Sequence, residues 1–236
     1  MAAIDRADRP PLIAIVGPTA VGKTALSLEL AERFGCEIIN GDSMQVYRRM
    51  DIGTAKLPPE ERRGIPHHLI DILEPHEPFS VAEFQRRCGE LIRDIASRGR
   101  LPMIVGGTGL YVEAVCYGFP LSEAADIDPD FRRRMRALAE SEGPEALHAR
   151  LREVDPVTAA RLHPRDVKRV IRALEIFEST GKPMSEVQAQ RRGEPKTSPY
   201  DLLIIGLAMD REMLYARIEK RVEDMLAAGL VREVAG

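Results

Sequence analysis

The chain has 236 residues, 44% of them hydrophobic and 30% charged, with a formal net charge of −3. That length can bury a substantial core and that mix excludes a disordered or fibrous chain, while the acidic balance argues against a protein coated in positive charge for nucleic acid. Apolar runs such as Leu12 to Val16 and Leu202 to Ile205 fall far short of the roughly 18 apolar residues of a membrane-spanning helix. Asp5, Arg6, Asp8, Arg9 and Pro10 interrupt any signal-peptide pattern. A cytoplasmic protein with no membrane partner, acting as a monomer, is expected. Cys36, Cys88 and Cys116 have neither disulfide-framework nor zinc-type spacing and read as reduced thiols.

Leu12 to Val16 is an apolar, partly β-branched run that ends at a glycine loop, and Lys23 to Phe34 then sets Leu26, Leu30 and Phe34 at helical spacing. Glu37 to Asn40 is a second short strand, ending at Gly41-Asp42-Ser43, and Leu69 to Leu73 is a further strand candidate. Ser80 with Glu83 makes a capping box for a helix in which Phe84, Cys88, Leu91 and Ile95 share a face and which Gly99 stops. Pro102 to Val105 reads as a buried strand ending at Gly106-Gly107-Thr108-Gly109. Strands alternating with helices imply a parallel sheet, in which the loops at 17–24, 41–45 and 106–109 converge at the carboxyl edge.

From Phe119 the texture changes to Arg-rich helices. Asp128-Pro129 opens one as cap and first-turn proline, and Asp166 opens another running to Thr180-Gly181. In the latter, Val167, Val170, Ile171, Leu174 and Phe177 form the apolar stripe, which leaves Lys168, Arg169 and Arg172 mostly on other faces. Leu202 to Leu207 returns to the sheet, and Asp210 starts a final helix that places Arg217 and Arg221 on one side. The expected architecture is an α/β P-loop NTPase-like core over 1–118 and 200–236, with a helical insertion over 119–199. Between Asp128 and Lys196 fifteen Lys/Arg stand against twelve Asp/Glu, a net of +3, whereas the remainder nets −6. A basic segment on an acidic body points to a polyanion partner, or to a solvated helical surface.

Gly17-Pro18-Thr19-Ala20-Val21-Gly22-Lys23-Thr24 fits G-x-x-x-x-G-K-[ST] between strand and helix, the loop type of nucleotide- and ATP-binding proteins. Its glycines let backbone N–H groups converge on phosphate oxygens at a helix N-terminus, Lys23 adds a point charge, and the Thr24 hydroxyl can ligate Mg²⁺. Most such proteins place a metal-binding Asp at the end of a buried strand, but here that strand ends in Gly-Gly-Thr. Asp42 is the nearest acidic candidate, as a metal ligand, a base or a turn aspartate.

The stretches GPTAVGKT at 17–24, GDSMQVYRRMDIGTAK at 41–56, PHHLIDILEP at 66–75, VGGTGLY at 105–111, HPRDVKRVIRALEIFESTGKP at 163–183 and RIEKRVEDMLAAGL at 217–230 together resemble the tRNA dimethylallyltransferases, also called tRNA isopentenyltransferases. The resemblance runs through nearly the whole chain. It implies transfer of a dimethylallyl group from dimethylallyl diphosphate to N6 of the adenine just 3′ of the anticodon, with the tRNA anticodon stem-loop as partner and Mg²⁺ as cofactor. Such an amine is a poor nucleophile, so Asp42 is expected to take its proton, while the 17–24 loop, Lys23, Mg²⁺ and an arginine stabilise the departing diphosphate. Arg221 is the expected arginine, with Arg217 as the alternative, and Thr108 would orient a reacting group. Family tRNA contacts map onto Asp42, Ser43, Met44, Gln45, Thr108, Arg132, Lys168, Arg169, Val170, Ile171 and Arg172. Members of the family usually continue past the position of Gly236, with helices that carry further tRNA contacts.

Two other readings stand beside this one. A P-loop kinase for a nucleotide or small metabolite would use Arg132 to Arg136 as a lid, but the Gly-Gly-Thr loop does not suit it, and a non-catalytic nucleotide- or RNA-binding module would not need Asp42, Lys23 and Thr108 to converge. His67-His68 lacks a third ligand at zinc-type spacing and reads as structural, and Arg132 to Arg134, apart from the resemblance, reads as a solvated helix face.

Overall fold

The computed structural model describes residues 9–119, 129–193 and 195–236. In chain order its elements are β1 (Pro11–Val16), α1 (Lys23–Phe34), β2 (Cys36–Asn40), β3 (His67–His68), α2 (Val81–Ser97), β4 (Leu101–Gly106) and α3 (Gly109–Tyr117). There follow α4 (Pro129–Ser141), α5 (Pro144–Val154), α6 (Pro156–Ala159), α7 (Val167–Thr180), α8 (Met184–Gly193), β5 (Asp201–Gly206), α9 (Arg211–Ala228) and α10 (Leu230–Ala235). The chain divides into a core unit, Met1–Leu121 with Thr197–Gly236, and a helical unit, Ser122–Lys196.

In the core unit the five strands run parallel in the order β3-β2-β4-β1-β5. The chain leaves β1 through α1 for β2, beyond β4, and later reaches β5 on the opposite side of β1. The neighbours β1 and β4 therefore form a switch point, where loops diverge and leave a crevice at the carboxyl edge. Alternation along the strands separates two layers. Leu12, Ala14, Ile39 and Ile104 pack under α2 and α3 against Phe84, Cys88, Ile92 and Val115, whereas Ile15, Ile38 and Met103 pack on the other face against Leu28 and Ala31 of α1. Phe84 is fully buried and stacks on Tyr111, with ring centroids 4.7 Å apart. All three cysteines are buried thiols. Burial raises the Cys36 pKa, pushes Cys116 up to about 11 and raises Cys88 well above its ordinary value.

Local sequence explains most helix boundaries. The Ser80 hydroxyl accepts the Glu83 N–H at 3.2 Å to start α2. The reciprocal half of the expected capping box is replaced, because the Glu83 carboxylate binds Arg86 and Arg87 instead. Asp210 caps α9 by accepting the N–H groups of Glu212 at 2.9 Å and Met213 at 3.4 Å.

Two expectations need correction. Leu69 to Leu73 does not form a strand: Leu69 and Asp71 hold left-handed φ angles of 60° and 57°, which extended pairing does not allow. The segment instead lies along 46–48, with Ile72 donating to Val46 and Arg48 to Leu73, both at 2.8 Å, and the edge strand is His67–His68. The final helix is not continuous, since Gly229 at φ 101° separates α9 from α10. Helix α3 follows the loop after β4 directly, its first turn being closed by Tyr111 and Val112 donating to the Thr108 carbonyl.

The helical unit has its own core of Phe131, Leu147, Leu151, Val170, Ile171 and Leu174. Asp166 caps α7 by accepting the Arg169 N–H at 3.4 Å, and the Gly181 N–H donates to Phe177 at 2.7 Å to close it. Asp128, expected to cap the first of these helices, lies outside the described residues; α4 does begin at Pro129.

Candidate active site

The turn after β1 brings residues 17–24 over the N-terminus of α1. The Lys23 ammonium donates to the carbonyls of Gly17 at 2.9 Å and Pro18 at 2.7 Å. Burial lowers the Lys23 pKa, the Arg221 charge lowers it further, and Asp42 opposes both. Two cations held near one carboxylate make a locally positive site, as an oligophosphate requires.

The loop after β2 is set by Asn40, which is buried. Its side-chain amide donates to the carbonyls of Asp42 and Leu69, each at 3.1 Å, and its oxygen accepts the Asp42 N–H at 3.1 Å. The Asp42 carboxylate accepts the Met44 N–H at 2.8 Å, so the aspartate holds its own turn as well as facing the cavity. From the end of β4, the Thr108 hydroxyl accepts the Ser43 N–H at 3.2 Å. The two loops approach so closely at Gly106 that a Cβ there would lie 2.3 Å from the Gly41 backbone; only glycine fits.

These loops enclose a cavity of about 390 Å³ whose polar side is formed by Thr19, Gly22, Lys23, Thr24, Asp42 and Arg221. Of the two candidate arginines, Arg221 borders it, whereas Arg217 reaches the Ala20 carbonyl at 3.5 Å. Gly17, Pro18 and Val21 complete the phosphate loop without bordering the cavity. Ile38, Leu57, Ile70 and Val105 supply an apolar side, large enough together with the polar side for a small diphosphate ester.

The other expected contacts lie in the helical unit. Arg132 and Arg172 are not free cations: both pair with Glu175, which is only 3% exposed, Arg132 through Nη2 at 2.9 Å and Arg172 through Nη1 at 2.6 Å. Burial alone would raise the Glu175 pKa, but the two arginines outweigh it and hold it below the ordinary value. Arg169 pairs with Asp166 at 3.3 Å. Val170 and Ile171, also expected among the RNA contacts, are 0% and 5% exposed, and their side chains anchor α7 in the helical core.

The two histidines separate in role. His68 Nε2 lies 2.8 Å from Glu37, which Arg98 first, and His68 after it, hold at a pKa of about 2. His67 donates from Nδ1 to the Ile65 carbonyl at 2.8 Å and borders the cavity, and burial lowers its pKa. Among the described residues no three His, Cys, Asp or Glu side chains group as a metal site. Sequence reasoning missed Asn40, His67, Thr54 and Ala55 as parts of this site. The clue for the last two was the block at 41–56, whose end returns to the cavity wall.

A parallel sheet with a phosphate loop at its switch point, an aspartate after β2 and an arginine from α9 define a P-loop α/β protein with a phosphate-binding site. The chain matches the IPP transferase family over residues 45–236 and the isopentenyl transferase family over 10–71. It is 61% identical to a tRNA dimethylallyltransferase of Symbiobacterium thermophilum over 228 residues, covering 96% of this chain and 70% of that one. A tRNA dimethylallyltransferase of Geobacillus kaustophilus is 58% identical, covering 93% and 68%. The crystal structure of the tRNA isopentenylpyrophosphate transferase of Bacillus halodurans matches at 52% identity and a TM-score of 0.64, covering 95% of this chain and 69% of that one. A eukaryotic dimethylallyltransferase acting on tRNA matches at 36% identity and a TM-score of 0.78, covering 95% and 55%. The chain belongs to the tRNA dimethylallyltransferase family, and the kinase alternative is not favoured.

Proposed function

We propose that the protein transfers the dimethylallyl group of dimethylallyl diphosphate to N6 of the adenine 3′-adjacent to the anticodon of tRNA, releasing diphosphate. The observation that carries this is the convergence of Lys23, Thr24, Asp42 and Arg221 on one cavity with a polar and an apolar side. In the step, the N6 lone pair forms a bond to C1 of the prenyl group, the C1–O bond breaks with its electron pair leaving on the diphosphate, and the N6 proton passes to the Asp42 carboxylate. Lys23, the loop N–H groups and Arg221 face the growing negative charge and stabilise it more in the transition state than in the bound donor. The adenine must leave its stack to reach Asp42. Thr108 fixes the loop that carries Asp42.

The Thr24 hydroxyl and the Asp42 carboxylate are hard oxygen donors bordering the cavity, the chemistry Mg²⁺ takes beside phosphate oxygens and water. Thr24 would hold the ion, which would neutralise charge on the leaving diphosphate. In the helical unit, Lys168 and Arg169 are the cations that suit RNA phosphate contact, which positions RNA without reading its sequence. No helix among the described residues is long and apolar enough to cross a membrane, and a role in tRNA modification suits the cytoplasm.

Incubation with labelled dimethylallyl diphosphate and unmodified tRNA, and separately with γ-labelled ATP and candidate acceptors, tests the reading. Label is expected on tRNA from the prenyl donor only; its absence there overturns the proposal.

A further inference from the structure

Within the core unit a long-range polar contact joins α10 to the loop that follows β2. In α10 the Glu233 carboxylate accepts three consecutive backbone N–H groups, Asp51 at 2.8 Å and Ile52 at 2.7 Å on Oε2 and Gly53 at 2.9 Å on Oε1. Burial would raise the Glu233 pKa, but these three donors and the nearby Lys56 outweigh it, so the group stays anionic at neutral pH. A carboxylate is the side chain suited to such a run, because it offers about four lone-pair sites and no donor.

The same loop is clamped from its other side. Lys56, its side chain 4% exposed, donates to Asp51 and Asp71 at 2.6 Å each and to the Tyr47 carbonyl at 2.9 Å. Between the clamps lie Thr54 and Ala55, which border the cavity. Their carbonyls accept the side-chain amide of Gln45 at 3.0 and 3.4 Å. Gln45 also borders the cavity, so its amide nitrogen is committed to this loop and its orientation in the wall depends on where the loop sits. Glu233 itself does not border the cavity.

We propose that Glu233 is a positioning residue for transfer: by holding the N–H groups of Asp51, Ile52 and Gly53 it fixes the loop that orients Gln45 beside Asp42. The claim rests on the reading of this cavity as the transfer site, and it makes the placement of α10 part of the acceptor side of that site. It also gives a use to residues 50–56 of the sequence block that the phosphate loop and Asp42 leave unexplained.

The test uses the full chain with Glu233→Gln, which keeps shape but replaces one acceptor oxygen by a donor, and with Glu233→Ala. Both should lower kcat/KM for tRNA about tenfold or more, the scale of losing a charge-assisted bond, with little change in the affinity for inorganic pyrophosphate. In a Gln45→Ala background the additional effect of Glu233→Ala should shrink to within about twofold, since coupled residues are not additive. A second readout needs no turnover: amide exchange at Asp51 to Gly53 should quicken and the Gln45 side-chain amide resonance should shift in either variant. Equal loss with and without Gln45, unchanged kinetics in both variants, or an unmoved Gln45 resonance overturns the proposal. Should the unaltered protein transfer no label, the transfer reading falls, and the resonance measurement still decides whether Glu233 positions Gln45.

Discussion

The Thr108 hydroxyl accepts the Ser43 N–H at 3.2 Å and lies 3.4 Å from the Ser43 hydroxyl, tying the loop after β4 to the loop after β2. Two segments separated by 65 residues thus hold Asp42 between them. Thr108→Val keeps the shape and removes the acceptor. A lost bond of this kind is worth about 1 kcal/mol, so turnover should fall roughly five- to tenfold. Pyrophosphate affinity should hold and Thr108→Ser should restore most of the rate. Single-turnover transfer of labelled donor to tRNA is the measurement, and an unchanged rate would remove Thr108 from the site.

Asp42→Asn is the sharper change. An asparagine oxygen can still accept the Met44 N–H that now holds the turn at 2.8 Å, so the loop should keep its shape while the base is lost. Transfer should drop about 10²- to 10⁴-fold, the usual contribution of a positioned general base, with tRNA affinity retained. Comparable losses in binding and turnover would instead mark Asp42 as a turn residue only.

The phosphate loop, α1 and the caps at Ser80, Asp166 and Asp210 were legible because each depends on residues within a turn of one another. The return strand was legible from its apolar run, and Asp42 from its place at a strand end. What stayed hidden depends on distant partners. Leu69 to Leu73 looks β-forming, yet its left-handed residues follow from contacts with Asn40 and with 46–48. The Glu233 contacts span about 180 residues and leave no periodic trace. Arg172 reads as a solvated cation until α4 brings Arg132 to the same buried carboxylate.

That last arrangement changes how the helical unit should be tested. Replacing Arg132 and Arg172 together by Ala strips Glu175 of both cations, and an unsatisfied buried charged group costs about 3 kcal/mol or more. Because the Glu175 pKa is lowered in the folded state, its stabilisation is present above the unfolded value near 4.5 and is lost as pH falls through the folded value. The double variant should therefore melt lower than the unaltered protein at neutral pH, and the gap should narrow on acidification, as thermal melts at several pH values would record. RNA contact is better reported by Lys168→Ala, which should reduce the salt slope of tRNA binding by about one counterion. An unaltered slope would leave that face merely solvated.

The remaining prediction concerns what the phosphate loop serves. Lys23 lies among the Gly17 and Pro18 carbonyls with its pKa lowered first by burial and then by Arg221, so the free site already disfavours its charge, and an incoming diphosphate relieves that penalty. As pH rises through the lowered value the ammonium is lost, and affinity for pyrophosphate should weaken there, with proton uptake on binding; Lys23→Ala should abolish that dependence. The negative charge Lys23 faces grows as the carbon–oxygen bond breaks, so the same variant should lose more in turnover than in ground-state binding. Loss of one such contact to a developing oxyanion typically costs about 3–4 kcal/mol, or roughly 10²- to 10³-fold in rate. ATP should be neither consumed nor required, because the loop holds a leaving group and no phosphoryl group is transferred. Appearance of γ-phosphate from ATP on any acceptor, with no prenyl label on tRNA, would mean that the loop serves phosphoryl transfer, and the transferase mechanism built on Asp42 and Arg221 would fall with it.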